Sequence, residues 1–304
     1  MRIFVTGASG WIGRALVPDL IEAGHQVVGL ARSEASAAAL TAAGAEAIRG
    51  TVDDLDVLAG AAAASDGVIH LAFKHDIAFS GSFQEAAEAD RRAVDALAEP
   101  LVGTDRPFVL ASGLAGLKPG RVATEQDMPT VEDGSAFSIR AATSLAVLDY
   151  ASRGVRSSVV RLSPTCHGDG DKGFMATLVA TARAKGVSGY LGDGANRWPA
   201  VHRLDAARLF RLAVEKAPAG AVLHGVAEEG VAIRDVAEVI GRGLEVPVAP
   251  VTPEDAAGHF TWMSAFIGLD APASNTQTRE LLGWQPTGPG LLEDLAKGHY
   301  FQGS

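Results

Sequence analysis

Cysteine is almost missing from this 304-residue chain: Cys166 stands alone, so no intrachain disulfide and no multi-cysteine metal site can form. It reads as a small buried thiol, and no metal is expected. Tyrosine is nearly as scarce, at Tyr150, Tyr190 and Tyr300. Positive charge is in deficit, with 26 Lys+Arg against 36 Asp+Glu and a net charge of -10. Without a basic field, nucleic acid and anionic membrane surfaces are poor partners, and any bound phosphate must be met by local groups. No apolar run reaches the roughly 18 residues of a membrane span, because charges and glycines interrupt every candidate. A strand pattern that starts at residue 2 leaves no room for a leader ahead of it, so a cytoplasmic location is expected.

What the chain has in quantity is apolar residues, 47%, and 35 glycines. That is enough to bury a large core, as one α/β domain with an appended lobe or as two domains. The most informative glycines lie in Thr6-Gly7-Ala8-Ser9-Gly10-Trp11-Ile12-Gly13, between the apolar run Arg2-Ile3-Phe4-Val5 and a helical pattern that opens at Ile12. Strand, glycine turn and helix in that order make an anion cradle. Gly7 lets the chain reverse, Gly10 has no Cβ to hold off a pyrophosphate, and Gly13 lets the helix pack closely. With Ser9, Trp11 and Ile12 completing it, the cradle predicts a bound dinucleotide.

Beyond the cradle, apolar runs alternate with helical patterns. Strands are expected at 26–30, 46–48, 67–71, 108–111 and 157–162, with helices near 12–23, 35–43, 55–62, 83–101 and 137–152. Strands apolar on both faces, separated by helices, specify a parallel sheet covered on each side, and right-handed crossovers make it a doubly wound Rossmann fold. After Pro164 the rhythm loosens, with helices expected near 175–184, 205–215 and 233–244 and strands at 222–224 and 246–251. The expected organisation is a dinucleotide-binding domain over 1–165, to which 200–227 return, and a smaller substrate lobe from 166–199 and 228–304.

The spacing of Gly7, Gly10 and Gly13 after Thr6 resembles the extended or atypical branch of the short-chain dehydrogenase/reductase superfamily, which includes the NAD-dependent epimerases and dehydratases. About 20 residues past such a cradle, an acid selects NAD and an arginine accommodates the 2′-phosphate of NADP. Here the segment is Gly29-Leu30-Ala31-Arg32-Ser33, so NADP(H) is expected, with NAD(H) as second choice. A solvated arginine at a strand end is the rival reading. Gly50-Thr51-Val52-Asp53-Asp54 is similar to the adenine-contacting segment of the superfamily, which implies contact from the Thr51 hydroxyl and the Val52 backbone, with Asp53 capping the next helix. His70-Leu71-Ala72 resembles the H-x-A beside the cofactor ribose; the backbone of Leu71 and Ala72 is expected there, and His70 as a core histidine. Lys74 and His75 follow at a strand carboxyl end, where crevices form, and are candidate substrate contacts.

The superfamily places a serine after its fifth strand and a Tyr-x-x-x-Lys on the next helix. Val109-Leu110-Ala111-Ser112-Gly113 looks like the serine segment, which makes Ser112 the candidate to polarise a carbonyl. A hydroxyl that merely bonds backbone is the alternative. On the helix, Ala136 falls where tyrosine is expected and Arg140 where lysine is expected, so Arg140 is left to hold the nicotinamide ribose without a phenol beside it. Proton donors of suitable chemistry are Ser112, His75, His167, Ser138 and Tyr190. Arg161-Leu162-Ser163-Pro164-Thr165-Cys166-His167-Gly168 is similar to the R-P-x-x-x-Y-G stretch beside the nicotinamide, which implies Pro164 at the cofactor and His167 in the tyrosine's place, either as a proton donor or shaping the pocket.

Asn196, Arg197 and Trp198 match the loop that grips a nucleotide diphosphate in sugar-nucleotide members, and they are expected to touch substrate. Asp205 is expected to cap a helix, and Leu282-Gly283-Trp284-Gln285-Pro286 resembles a structural L-G-W-x-P signature. Phe260, Trp262, Met263, Phe266 and Ile267 either line an apolar pocket or form a core helix. The leading function is an NADP(H)-dependent oxidoreductase acting on a small carbonyl or alcohol. A nucleotide-sugar epimerase or dehydratase, and a non-catalytic NADP(H)-binding redox sensor, are the alternatives. The resemblance also implies a homodimer through the helices near Phe83 and Phe137.

Overall fold

A computed structural model describes residues 1–79, 81–114, 117, 120–129, 131 and 136–302. Its first half alternates as the sequence pattern requires: β1 (Arg2–Thr6), α1 (Gly13–Glu22), β2 (Gln26–Ala31), α2 (Glu34–Ala42), β3 (Glu46–Arg49), α3 (Leu55–Ala63), β4 (Gly67–His70), α4 (His75–Phe79), α5 (Phe83–Ala98), β5 (Pro107–Gly113), α6 (Ala136–Asp149) and β6 (Arg156–Leu162). The remainder comprises β7 (Thr165–His167), α7 (Phe174–Lys185), β8 (Ser188–Leu191), β9 (Arg197–His202), α8 (Arg203–Lys216), β10 (Ala221–Gly225), β11 (Glu228–Ala232), α9 (Ile233–Leu244), β12 (Val248–Val251), α10 (Ala256–Phe260), α11 (Thr276–Leu282) and α12 (Leu291–Ala296).

Seven strands form one parallel sheet in the order β10-β6-β5-β4-β1-β2-β3. The α/β Rossmann architecture follows from strands that are apolar on both faces. In β1, Ile3 and Val5 join the core under α1 and α8, while Phe4 points the other way into the core under α3, α5 and α6. The order reverses between β1 and β4, which opens a crevice at the strand carboxyl ends. The rest of the chain builds a second core around a three-stranded sheet β11-β9-β7 and the pair β12-β8. Short β7 and β11 escape the sequence reading, because three to five residues in glycine-rich surroundings carry no legible period.

Two local expectations change. The apolar stretch at 260–267 is neither a long helix nor a pocket wall throughout: α10 ends at Phe260 and a 3-10 turn covers Thr261–Ala265. Phe260, Met263 and Ile267 turn into the lobe core, while Trp262 stays exposed beside Phe174 and Phe266. Asp205 does not cap α8 either. The His202 side chain accepts from Leu204 N at 3.4 Å, and Asp205, wholly buried, accepts from the Thr287 and Gly288 N–H groups at 2.9 and 2.8 Å. Its position in the first turn of α8 points it at the returning L-G-W-x-P segment, where Trp284 Nε1 donates to the Asp205 carbonyl at 3.1 Å. Among the described residues, no helix is long and apolar enough to cross a membrane, and no cluster of His, Cys, Asp and Glu has metal-site geometry.

Candidate active site

The glycine turn after β1 is shaped by sterics. Gly7 takes a left-handed backbone with φ +67°, and a Cβ there would stand 2.8 Å from Ala72 N, so only glycine lets the turn lie against the end of β4. At Gly13 a Cβ would meet Ala8 O at 2.5 Å and Gly7 O closer still. This glycine therefore lets α1 begin directly on the loop's own carbonyls, leaving N–H groups at the helix start for an anion. Replacing Gly13 by alanine is expected to cost about 1–3 kcal/mol of stability and to weaken binding of a nicotinamide dinucleotide at least ~10-fold, read by thermal unfolding and isothermal titration. An unchanged affinity would remove the loop from the cofactor site. Outside the turn, Trp11 Nε1 donates to Cys166 O at 2.9 Å, and the Arg203 guanidinium lies 4.6 Å from the Trp11 ring centroid. Burial pushes the Cys166 thiol up to about 12, so it is no nucleophile.

Arg32 follows the last residue of β2, Arg49 ends β3 beside it, and Arg49 donates to the Arg32 carbonyl at 3.3 Å. Arg49 also pairs with Glu34, whereas Arg32 is exposed and has no ion pair among the described residues. Ser33 caps α2, its Oγ accepting from Ser36 N at 3.1 Å. The Thr51 hydroxyl is likewise taken up by Asp54 at 2.9 Å, because Asp54 closes the turn that leads into α3. Val52 packs against the core beside it. Asp53 does not cap α3 as expected but pairs with Lys74 at 2.7 Å, which withdraws Lys74 from substrate.

At the carboxyl ends of β4 and β5 a polar chain runs through otherwise apolar packing. Thr6 Oγ1 accepts from Ala72 N at 3.2 Å and sits 2.6 Å from His70 Nδ1; His70 Nε2 lies 3.3 Å from Asp90 Oδ1. An ionised Asp90 only accepts, so the His70 proton is on Nε2 and the Thr6 hydroxyl donates to Nδ1. Asp90 Oδ2 then accepts from Arg140 at 3.3 Å, Arg140 donates also to Ala111 O at 2.9 Å, and its guanidinium stacks 4.0 Å from the Phe73 ring centroid. Burial alone would raise the pKa of Asp90, but Arg140 and His70 outweigh it and the net direction is down. One turn further along α6, Ser144 Oγ donates to the Arg140 carbonyl at 3.2 Å and lies 2.8 Å from Ser112 Oγ. Since the Ser144 proton is used, the Ser112 hydroxyl donates to Ser144 at rest and can turn toward a ligand.

The structure brings together Ser112, Arg140, Leu71, Ala72 and His75 and separates the rest. His167 is 1% exposed, with Nδ1 2.9 Å from Asp294 Oδ2, its ring against His202 and its Nε2 buried without a hydrogen-bond partner. Pro164 is half-buried in the connection from β6 to β7. Asn196 donates to the carbonyls of Ile267 and Leu269 at 2.8 and 3.1 Å, Arg197 forms a forked pair with Asp270 at 3.1 and 3.0 Å, and Trp198 is 2% exposed with Nε1 on Leu269 O. All three expected substrate contacts thus tether the 266–270 segment to β9. Ser138 and Tyr190 are buried. Tyr150 donates to Asp95 and Glu99 at the far end of α6, and Tyr300 to Asp171, so none of the tyrosines stands beside Ser112.

Sequence comparisons place this geometry in a known setting. The profile of the NAD dependent epimerase/dehydratase family matches residues 3–224. An uncharacterized protein of Schizosaccharomyces pombe is 47% identical over 99% of this chain and 100% of its own length. The 4-hydroxy-2-methyl-3-oxo-4-farnesyl-3,4-dihydroquinoline-1-oxide ketoreductase of Stigmatella aurantiaca is 28% identical over 90% of this chain and 84% of its own. Among solved structures, the dTDP-glucose 4,6-dehydratase DesIV of Streptomyces venezuelae, with NAD bound, superposes with a TM-score of 0.78 at 21% identity, covering 99% of this chain and 97% of that one. With the glycine turn, the sheet order and a family match over residues 3–224, the chain belongs to the NAD-dependent epimerase/dehydratase family.

Proposed function

We propose that this protein is an NADP(H)-dependent oxidoreductase that moves hydride between a nicotinamide and a small, uncharged carbonyl or alcohol. One observation carries the substrate class: Arg197 is neutralised by Asp270 and the Asn196 amide is consumed by two carbonyls, so the loop used for nucleotide diphosphates in sugar-nucleotide members has its cation and its amide committed. The ketoreductase from Stigmatella aurantiaca, at 28% identity, supports carbonyl chemistry on this scaffold.

The chain's own residues fit the dinucleotide, because Gly7 and Gly13 keep clear the space a Cβ would fill at the turn. The Trp11–Gly13 backbone takes the pyrophosphate, Arg32 with Arg49 beside it takes the 2′-phosphate, and Thr51 and Val52 border the adenine. Leu71, Ala72 and Arg140 border the nicotinamide ribose. Bound there, the dinucleotide supplies or accepts hydride. Ser112 turns from Ser144 to donate to the carbonyl oxygen, where charge grows in the transition state. Asp90 keeps the Arg140 guanidinium fixed through that change.

NADPH oxidation against a panel of ketones and aldehydes, run beside nucleotide sugars, tests the reading. Turnover of a neutral carbonyl supports it. Turnover of nucleotide sugars alone favours the epimerase reading, and NADPH binding without any turnover favours a sensor; either overturns it. Arg32→Ala is expected to weaken NADPH binding about 10- to 100-fold, the loss of a charge-assisted contact, and to leave NADH binding unchanged in calorimetric titration. Equal losses for both dinucleotides would take Arg32 away from the 2′-phosphate.

A further inference from the structure

We infer that Arg203 is the pyrophosphate cation of the dinucleotide site, its guanidinium joining the Trp11–Gly13 backbone in holding the two linked phosphates. The inference rests on the dinucleotide part of the reading above and not on the substrate. The glycine turn offers neutral N–H groups, and a chain of net charge -10 brings no positive field to a doubly charged ligand, so a cation has to be supplied locally.

The fold delivers Arg203 to the turn. α1 leads from β1 to β2 and α8 leads into β10, all strands of one parallel sheet, so both helices start at the strand carboxyl ends, where the crevice opens. They also run in step: Arg211 Nε donates to Asp19 at 2.7 Å, and eight residues earlier in each segment Arg203 meets Trp11. The positive ends of two helices therefore stand together, with Arg203 as the first residue of α8.

The contact itself is built from both sides. Trp11 Nε1 donates to Cys166 O at 2.9 Å, which fixes the indole between the turn and β7, and the Arg203 guanidinium lies 4.6 Å from the ring centroid. Gly168 makes room for the stem. Its backbone has φ +150°, and a Cβ there would crowd Arg203 Cγ and Cδ at 3.3 and 3.4 Å. Beyond the ring, half-buried Arg203 has no ion pair and no hydrogen bond among the described residues. Arg14, exposed on α1, donates instead to the Ser9 carbonyl at 2.9 Å. A guanidinium stacks through its face and donates through its edge, so the indole contact leaves the N–H fork for two phosphate oxygens. Its charge is permanent, and no carboxylate neutralises it.

Calorimetric titrations of NADPH, NADH and ADP-ribose into wild type, Arg203→Met and Arg203→Lys test the assignment. All three ligands carry the pyrophosphate, whereas only NADPH has the 2′-phosphate and ADP-ribose lacks the nicotinamide. Methionine keeps a flexible stem between Gly168 and Trp11 and removes the charge. Arg203→Met is expected to raise the Kd of all three by a common factor of about 10- to 100-fold, the loss of a charge-assisted contact, and Arg203→Lys to recover part of it. The urea midpoint without ligand stays within error of wild type, because no ion pair is lost. A loss confined to NADPH would move Arg203 to the 2′-phosphate, and a loss for NADPH and NADH but not ADP-ribose would move it to the nicotinamide. Unchanged affinities would leave it a structural stack on Trp11. Each of these three results overturns the proposal. The common loss without any carbonyl turnover by wild type upholds the clamp and overturns the oxidoreductase reading, whereas a wild type that binds neither dinucleotide overturns both.

Discussion

Asp205→Ala is expected to destabilise the protein by about 3–5 kcal/mol, the cost of emptying one half of a buried, hydrogen-bonded ion pair. The carboxylate is wholly buried, accepts two backbone N–H groups from Thr287 and Gly288, and pairs with Arg208 at 2.8 Å. Removing it takes the acceptor from both backbone donors and leaves the Arg208 guanidinium without its partner. The loss spreads, because the same contacts dock the 284–288 segment, including Trp284 at 0% exposure, onto α8. Gly288 leaves no slack: a Cβ there would stand 2.7 Å from Asp205 Oδ2. Asp205→Asn, which keeps one acceptor but turns an amide N–H toward the backbone donors, should lose less, about 1–3 kcal/mol. Urea unfolding at pH 7 reads both as a lower midpoint at unchanged slope. A midpoint for Asp205→Ala within error of wild type would show that the segment docks through Trp284 alone.

Arg140→Met is the second large change, expected to cost about 3–5 kcal/mol and to abolish turnover. Methionine has the length to reach Phe73 but no charge to set against Asp90, which is 4% exposed and touches Arg140 and His70. Deprived of Arg140, Asp90 rises in pKa under burial. The pH dependence follows. In the wild type the depressed Asp90 contributes stability that is present above the unfolded carboxylate range near 3.8 and is lost as pH falls below it. In Arg140→Met, with Asp90 raised, the variant instead gains stability as pH falls toward the raised value, narrowing its gap from wild type in acid. Arg140→Lys keeps the charge but not the fork that spans Asp90 and the Ala111 carbonyl, so it recovers stability in part. Unfolding midpoints of the three proteins between pH 4 and 8 test this. A gap between Arg140→Met and wild type that is constant across that range would mean that Asp90 does not titrate with the loss of its partner.

Much of this network was within reach of the sequence. On α5 the buried face runs Ala86, Ala87, Ala89, Asp90, Ala93, Val94 and Leu97, so a carboxylate stands in an apolar stripe at helical spacing. A buried acid calls for a partner, and Arg140 on the expected active-site helix is the natural one. Thr6, the residue before the first glycine, was legible only as a strand end; that its hydroxyl orients His70 depends on the register of β1 against β4, which pairs Thr6 with His70. The protein partners of His167, Asn196, Arg197 and Trp198 were not legible in the sequence, for a common reason. Spacing along the chain does not reveal which face of a short strand a side chain takes, and β7 and β9 turn these groups to the lobe interior or to the 266–270 segment.

By itself the chain determined its strands, its crossovers and its glycine turn, because alternation, apolar runs and the steric demand at Gly7 and Gly13 are local properties that any folded arrangement must satisfy. Folding in three dimensions decided which polar groups remain at liberty. Asp270 reaches Arg197 across 73 residues and Asp294 reaches His167 across 127, and no periodicity encodes such meetings. An ionisable group acts on a ligand only if no nearer partner has satisfied it first, and that competition is settled by packing between distant segments.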